Sequence, residues 1–293
     1  VQSASRARAF LYVTVAYVVA VAVAWLVVRW LAPQMSLIWA VALADVAATV
    51  TVFAFSVGAD NTSIYDPYWS VAPMVIAPFL ALHESAAQAS TARRILVCAL
   101  VIAWGARLTY NWARGFQGLG HEDFRYADFR RKLGRGYWLM SFGGLHMFPT
   151  VQVYLGCLPL TVALAGARPL GLMDAVAAVV TLGAILIETI ADEQLRAFRR
   201  EPHDPGEIMA CGLWAYSRHP NYFGEIGFWW GLFLFAIAAD PGALWTSIGA
   251  VAITVMFVFA SVPLLDNRSV ARRPAYAEHM KRVSAIVPWF PKR

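Results

Sequence analysis

Two short stretches concentrate the side chains able to do chemistry. In the first, Glu188, Asp192, Leu195 and Arg199 fall at intervals of four, three and four, with Arg196 and Arg200 beside them. The helical period puts those four on one face. Carboxylates at membrane depth with guanidiniums at the water boundary suit a ligand carrying hydroxyls, an amide and phosphates. The same face also reads as a helix end with snorkelling arginines and an Asp192–Arg196 pair. The second stretch is WAYSRHPNYFGEIGFWWG, Trp214 to Gly231. Pro220 suits the first turn of a helix, so Ser217, Arg218 and His219 stand at its N-terminus. Free N–H groups and the positive dipole end make that position favourable for an anion. Asn221 and Glu225 follow at i and i+4, with Tyr222 beside them and Gly224 and Gly227 permitting close approach. A capped helix with interfacial aromatics is the plainer alternative. It leaves unexplained so many different polar types within eight residues.

Other candidates stand apart. Asp66 and Tyr68, with Trp69 next to them, open a segment broken by Pro73 and Pro78; either could donate a proton to a substrate, or the group is an Asp-Pro turn with interfacial aromatics. Arg107 sits a turn inside a helix end, within reach of pyrophosphate or free to snorkel. Asp45, in the middle of an apolar run, needs a partner inside the bundle because a charge at membrane depth is costly. Arg268, Arg272, Arg273 and Tyr276 could close over the adenine and 2′-phosphate end of a dinucleotide, or form a basic patch on the membrane surface. His83-Glu84 and His121-Glu122 do not extend to HExxH, so zinc hydrolysis has no support. GFQGLG at Gly115–Gly120 is not a Rossmann loop: its spacing is wrong and no strand precedes it.

With these residues set out, the string around Arg218–Tyr222 resembles the C-terminal signature of the steroid 5α-reductase superfamily, especially its bacterial branch of uncharacterised membrane proteins. Further pieces similar to that branch are DPYWSVAP (Asp66–Pro73), RLTYNW (Arg107–Trp112), GHEDFRYADFR (Gly120–Arg130) and AIVPWFP (Ala285–Pro291). The resemblance runs from about Asp66 to the C-terminal end, and it is the combination that is specific. The RHPNY piece is shared with membrane methyltransferases. Asp45 lies outside the stretch and is assigned no catalytic role.

The resemblance implies an NADPH-dependent membrane reductase, with the cofactor among the later helices and open to the cytoplasm. The family's Asp and Arg are matched by Asp192 and Arg199, and its Asn and Glu by Asn221 and Glu225. Glu188 stands where the steroid reductases have Asn, beside the substrate. Their Gln-Glu pair, which with a Tyr holds the steroid carbonyl, has no counterpart; the nearest polar groups are Asp66, Tyr68 and Trp69, so the substrate need not be a steroid, and a lipophilic, sterol- or prenoid-like molecule is expected. The expected reaction is hydride delivery to the β-carbon of an enone, with Tyr68 or Asp66 bonding the carbonyl. Arg196, Arg199, Arg218, Arg268 and Arg272, with Arg107, are expected on phosphates. Asp192, Asn221 and Glu225 are expected on ribose hydroxyls and the amide, with His219 and Tyr222 lining the same terminus. The rivals are an S-adenosylmethionine-dependent methyltransferase, which would need carboxylates for a cationic cofactor, and a non-catalytic lipid- or sterol-binding protein.

The elements that must position these groups follow from composition. Of 293 residues, 59% are hydrophobic and 14% charged, where soluble domains carry about a quarter charged, and the mean hydropathy is +0.55. The net charge of +6 is explained by basic loops on one membrane face rather than by nucleic acid. Cys98, Cys157 and Cys211 form no CxxC pair, and no metal site is expected. Apolar runs near the length of about 20 residues that a span requires occur at 10–31, 37–57, 95–112, 148–165, 172–191, 222–239 and 243–265. The Pro-interrupted run 69–82 is an eighth, either a kinked span or a re-entrant segment. The first run is too long for a signal-peptide core and is read as a retained helix.

The expected fold is an all-α polytopic bundle of about eight spans, with seven as the alternative. Residues 1–65 are read as N-terminal helices and 66–293 as one continuous catalytic bundle, with a short interfacial helix around Glu122–Lys132. With eight spans, 19 of the 24 Lys and Arg gather on one side, which predicts a bacterial inner-membrane protein with its C-terminus cytoplasmic. Arg93 and Arg94 fall on the other side.

Overall fold

Every long apolar run forms a helix. The computed structural model describes residues 2–202, 204 and 206–292. Among the described residues there is no strand, only an isolated bridge between Ser217 and Ser284. In chain order the helices are α1 (Gln2–Leu31), α2 (Leu37–Gly58), α3 (Tyr68–Leu82), α4 (Thr91–Gly115), α5 (Phe124–Leu133), α6 (Tyr137–Met140), α7 (Phe148–Ala163), α8 (Leu172–Arg200), α9 (Pro220–Ala239), α10 (Ser247–Met256), α11 (Val262–Arg272) and α12 (Tyr276–Arg282). π-helical turns at Ser141–Met147 and Phe257–Ser261 carry α6 into α7 and α10 into α11.

Seven helical stretches among the described residues are long and apolar enough to cross a membrane, and the chain is a multi-pass helical membrane protein. The eighth expected span is corrected. α3 has 15 residues, about 22 Å at 1.5 Å per residue, against a hydrocarbon core of about 30 Å. It is also one continuous helix, although Pro73 and Pro78 each remove a backbone donor. The short helix expected around Glu122–Lys132 is present as α5. Its N-cap Asp123 accepts from Arg125 N–H, and Arg130, Arg131 and Lys132 in its last turn complement the dipole.

The chain divides into two compact units. The first comprises Val1–Ala87 and Val101–Thr161, the second Gln88–Leu100 and Val162–Arg293; α4 contributes to both. In the first unit α3 crosses α4 closely at Gly105, where a Cβ would lie 2.5 Å from Met74 Cγ and 2.6 Å from the Ser70 carbonyl. A hydroxyl bond between Ser70 and Thr109, 3.0 Å long, sits at the same crossing.

In the second unit α8 and α9 pack through small residues. A Cβ at Gly224 would meet Glu188 Cβ at 2.6 Å, and one at Gly231 would meet Thr181 Oγ1 at 2.1 Å. Backbones this close need glycine, the usual means of helix association where no hydrophobic drive separates protein from lipid. Arg93 belongs to this unit and is fully buried. Its Nε and Nη2 donate to the two oxygens of Asp174 at 2.6 and 2.9 Å, and its remaining donors reach the carbonyls of Arg168 and Pro169.

Candidate functional site

In the first unit, α1, α2 and α3 line a half-open cavity of about 590 Å³. Tyr17 faces Tyr68 across it at one end and Trp25 faces Phe79 nearer the other, where Arg29, His83 and Glu84 form the rim. Between these ends the wall is apolar, from residues such as Val41, Ala48, Val71 and Ile76. Asp45 is the exception. Tyr68 Oη donates to Asp45 Oδ1 at 2.6 Å, while Asp45 Oδ2 is buried and has no hydrogen-bond partner among the described residues. The partner that a mid-membrane carboxyl requires is thus Tyr68.

Behind this pair runs a chain of buried hydroxyls. Thr49 lies against the Tyr68 phenol. Thr49 Oγ1 and Thr150 Oγ1 are 2.7 Å apart, and Tyr65 Oη is 2.7 Å from Thr150 Oγ1. Tyr65 also stacks on Tyr68 at 4.9 Å. Helical spacing explains the arrangement: Asp45 and Thr49 are one turn apart on α2, and Tyr65 and Tyr68 are three residues apart where the chain enters α3. Hydroxyls of this kind fix the phenol without adding charge.

The two expected donors part company here. Asp66 is absent from the cavity wall; its Oδ1 accepts from Tyr126 Oη of α5 at 2.7 Å. Burial raises the Asp66 carboxyl to about 7, against the lowering effect of the Tyr126 bond and the Arg125 charge. Trp69 also lies off the wall, edge-on to Trp104 at 6.4 Å. Asp45 is the residue that sequence reasoning set aside. Its signal was available, a single carboxylate inside an apolar run, but it preceded the stretch of resemblance.

The second unit gathers the charged residues. On α8, Arg199 lies within electrostatic reach of Asp192, Arg196 and Arg273. With Glu193 beside Arg196, the group counts three guanidiniums against two carboxylates and keeps a net positive charge. Asn221 Nδ2 donates to Asp192 Oδ1 at 3.4 Å, joining the start of α9 to this face. Arg196 Nε is buried without a hydrogen-bond partner among the described residues, its nearest carboxylate being Glu193 at 3.8 Å. An orphaned donor in a cluster of like charges fits a phosphate oxygen. The connection to α9 is pinned to the same helix. Trp214 Nε1 donates to the Ala191 carbonyl at 3.0 Å, and Leu213 N–H to Gln194 Oε1 at 3.0 Å.

Arg218 and His219 have another occupation. Arg218 Nη2 donates to Asp266 Oδ2 at 2.7 Å, and its Nη1 reaches the carbonyls of Val283 and Met280 at 2.7 and 3.1 Å. His219 Nε2 and Tyr276 Oη meet Asp266 Oδ1 at 3.0 and 3.1 Å. The guanidinium expected on a phosphate is spent on the protein's own acceptors, and this knot ties α9, α11 and the tail together. Glu225 accepts from Trp229 Nε1 at 2.8 Å in a buried setting, and Glu188 lies buried beneath Gly224. Tyr222 stacks between His219 and Phe257. Arg268 is half-buried on α11 and Arg272 exposed at its end. Arg107 belongs to the part of α4 in the first unit.

Comparison with known proteins gives the chain its relatives without giving it an activity. It is 27% identical over 256 residues to the uncharacterised protein C594.04c of Schizosaccharomyces pombe, covering 80% of this chain and 74% of that protein. No solved structure matches. Residues 52–283 match the family described as "Protein of unknown function (DUF1295)". Spanning well over half of the sequence, that match makes the chain a member of the DUF1295 family.

Proposed function

We propose that the chain is an NADPH-dependent membrane reductase that saturates an activated carbon–carbon double bond in a lipophilic substrate, the chemistry implied by its resemblance to the steroid 5α-reductase superfamily. The observation that carries the reading is the Asp45–Tyr68 pair, set at one end of an otherwise apolar cavity with one carboxyl oxygen left without a partner. An apolar ligand bearing a single carbonyl or hydroxyl is what such a chamber would hold and orient.

The residues divide the work. Arg196, Arg199 and Arg273 would hold phosphates, and Asp192 with Asn221 would orient hydroxyls and an amide. When bound, NADPH would supply the hydride. In the first unit, Asp45 in its acid form would present the Oδ2 proton to the substrate carbonyl while Oδ1 stays on Tyr68. The Tyr65–Thr150–Thr49 hydroxyls would keep the phenol from turning away. A preorganised donor of this sort stabilises a developing oxyanion by about 3–4 kcal/mol in a dry site. The apolar wall would keep the site dry. The lipophilic substrate proposed is sterol- or prenoid-like, and without a Gln-Glu pair it need not be a steroid.

The arginine cluster is poorly suited to the cationic cofactor of a methyltransferase. Purified protein in lipid nanodiscs, titrated calorimetrically with NADPH and with S-adenosylmethionine, tests the reading. Binding of NADPH is expected, followed by its oxidation in the presence of a long-chain enone. Saturable binding of S-adenosylmethionine alone would establish the methyltransferase, and binding of neither would leave a lipid-binding protein.

A further inference from the structure

The C-terminal tail presents a surface to which neither the reductase reading nor the family match gives a role. Residues 283–292 return alongside Tyr216–Arg218. Arg218 N–H donates to the Ser284 carbonyl at 2.9 Å, Ser217 Oγ to Ile286 O at 2.7 Å, Trp289 N–H to Tyr216 O at 2.9 Å and Lys292 N–H to Arg282 O at 2.9 Å. Pro288 and Pro291 fix the backbone on either side of the aromatic pair. The segment is therefore held in place along its length.

Held this way, it turns its largest apolar side chains outward. Val287 is 57% exposed, Trp289 70% and Phe290 76%. Tyr216 adds a half-exposed ring, edge-on to Phe290 at 5.9 Å. A mobile terminus would owe such exposure to chance, but a tail fixed by four main-chain or hydroxyl bonds presents the same patch continuously. Lipid-facing residues of the spans do not account for it, because the tail lies outside every stretch able to cross a membrane.

The chemistry around the patch specifies its partner. Between Arg272 and Lys292 the chain carries five Lys and Arg against one carboxylate, Glu278. Lys281 and Arg282 are exposed on α12, and Lys292 follows Phe290 by two residues. Trp with flanking cations is the composition of a membrane–water interface, the ring seated among headgroups and the cations on anionic lipid. We infer that the tail is an interfacial anchor: Val287, Trp289 and Phe290 insert into the headgroup layer of an anionic leaflet, and Arg282 and Lys292 bind its phosphates. The anchor would hold the Arg218–Asp266 knot at a fixed depth, since the same backbone that carries Trp289 is bonded to Tyr216 and Arg218.

A spin label at Phe290→Cys, in a full-length chain with Cys98, Cys157 and Cys211 replaced by Ser or Ala, tests this in reconstituted vesicles. With phosphatidylglycerol present, collisions with oxygen should exceed those with a water-soluble nickel complex, and a label at Lys281 should show the reverse. Exchanging phosphatidylglycerol for phosphatidylcholine should shift the label at position 290 toward water. Dominant nickel collisions in both lipids would place the tail in water and overturn the proposal. Protection from both reagents would mean that protein covers it, another copy or a different partner, and would overturn it equally. If the cysteine-free background does not fold, quenching of the emission difference between wild type and Trp289→Phe by brominated lipid, against iodide in water, reads the same depth.

Discussion

The two units solve opposite electrostatic problems. In the first, one carboxyl is set in an apolar wall and supported only by hydroxyls: Tyr68, Thr49, Thr150 and Tyr65. In the second, arginines are abundant and fall into two kinds. Arg218 and Arg93 are buried and meet protein acceptors, Asp266 and Asp174 first among them. Arg199 has Asp192, Arg196 and Arg273 within electrostatic reach, and one donor of the group, Arg196 Nε, makes no hydrogen bond among the described residues. Burying a charge is tolerable only when it is paired, and gathering like charges is tolerable only where something else neutralises them. The first kind of arginine builds the unit; the second is the kind proposed to take an anion. Residue type and position near a helix end look alike for both, and only the partners separate them.

The sharpest way to break that division is Asp266→Asn. It strips the full countercharge from buried Arg218 while keeping the side chain's size. Loss of one partner of a buried pair costs about 3–5 kcal/mol, so the ligand-free protein in detergent should unfold at a clearly lower temperature. Unchanged ligand-free stability with a large drop in NADPH affinity would move Arg218 to the second kind and restore the phosphate role first expected of it.

Next in size is the donor pair of the first unit. Asp45→Ala should slow turnover of a long-chain enone by roughly 10²–10³, the cost of removing one oxyanion donor, and Tyr68→Phe, which takes away only the bond that orients Asp45, should slow it less. NADPH affinity, set in the other unit, should stay within about twofold, a few tenths of a kcal/mol. Steady-state rates with tritium-free and deuterated cofactor, beside calorimetric affinities, separate the two effects. Equal losses in rate and affinity would show that the two regions do not divide the work as proposed.

How much of this was legible beforehand depends on whether local sequence or distant chain contacts settle the matter. Helices were legible because a run such as 172–191 is apolar over a length that only a helix can satisfy in lipid. The short helix α5 was legible from Asp123 and the basic close of its last turn. The close approach at Gly224 and Gly227 was readable from spacing, and Gly231 one further turn on extends it. What spacing could not give was partnership across long separations. Asp266 captures Arg218 from 48 residues away, and Asp45 finds Tyr68 across 23. The Asp66–Tyr68 proposal failed to hold together for the same reason: two neighbours in sequence take opposite directions, one to Tyr126 and the other to Asp45. Seven spans, the alternative to eight, follow from the length of α3, 15 residues.

Smaller, but most specific to the second kind of arginine, is Arg199→Ala. A charged hydrogen bond to phosphate is worth about 1.5–3 kcal/mol, so NADPH affinity should fall by roughly tenfold or more. Ligand-free stability should hold or rise slightly, because Arg196 and Arg273 lose a repelling neighbour. The pattern is the reverse of that for Asp266→Asn, and both are read by the same pair of measurements. If Arg199→Ala lowers ligand-free stability and spares affinity, the cluster is architectural after all.

The smallest effect tests whether Asp66 belongs with structure or with catalysis. Its carboxyl is raised by burial to about 7, above the value of about 3.9 expected in an unfolded chain. The folded state therefore binds the proton more tightly. That contribution is fully present below about pH 4 and is lost progressively as pH rises through about 7. Asp66→Asn keeps an oxygen to accept from Tyr126 Oη and removes the titration. Its melting temperature should consequently decline less than that of the wild type between pH 4 and pH 8, with the two profiles differing most at the alkaline end. Turnover should change little, since Asp66 stands off the cavity wall where Tyr68 and Asp45 meet. A large loss of turnover in Asp66→Asn at unchanged stability would return the proton donor to Asp66 and leave the Asp45–Tyr68 pair as a structural bond.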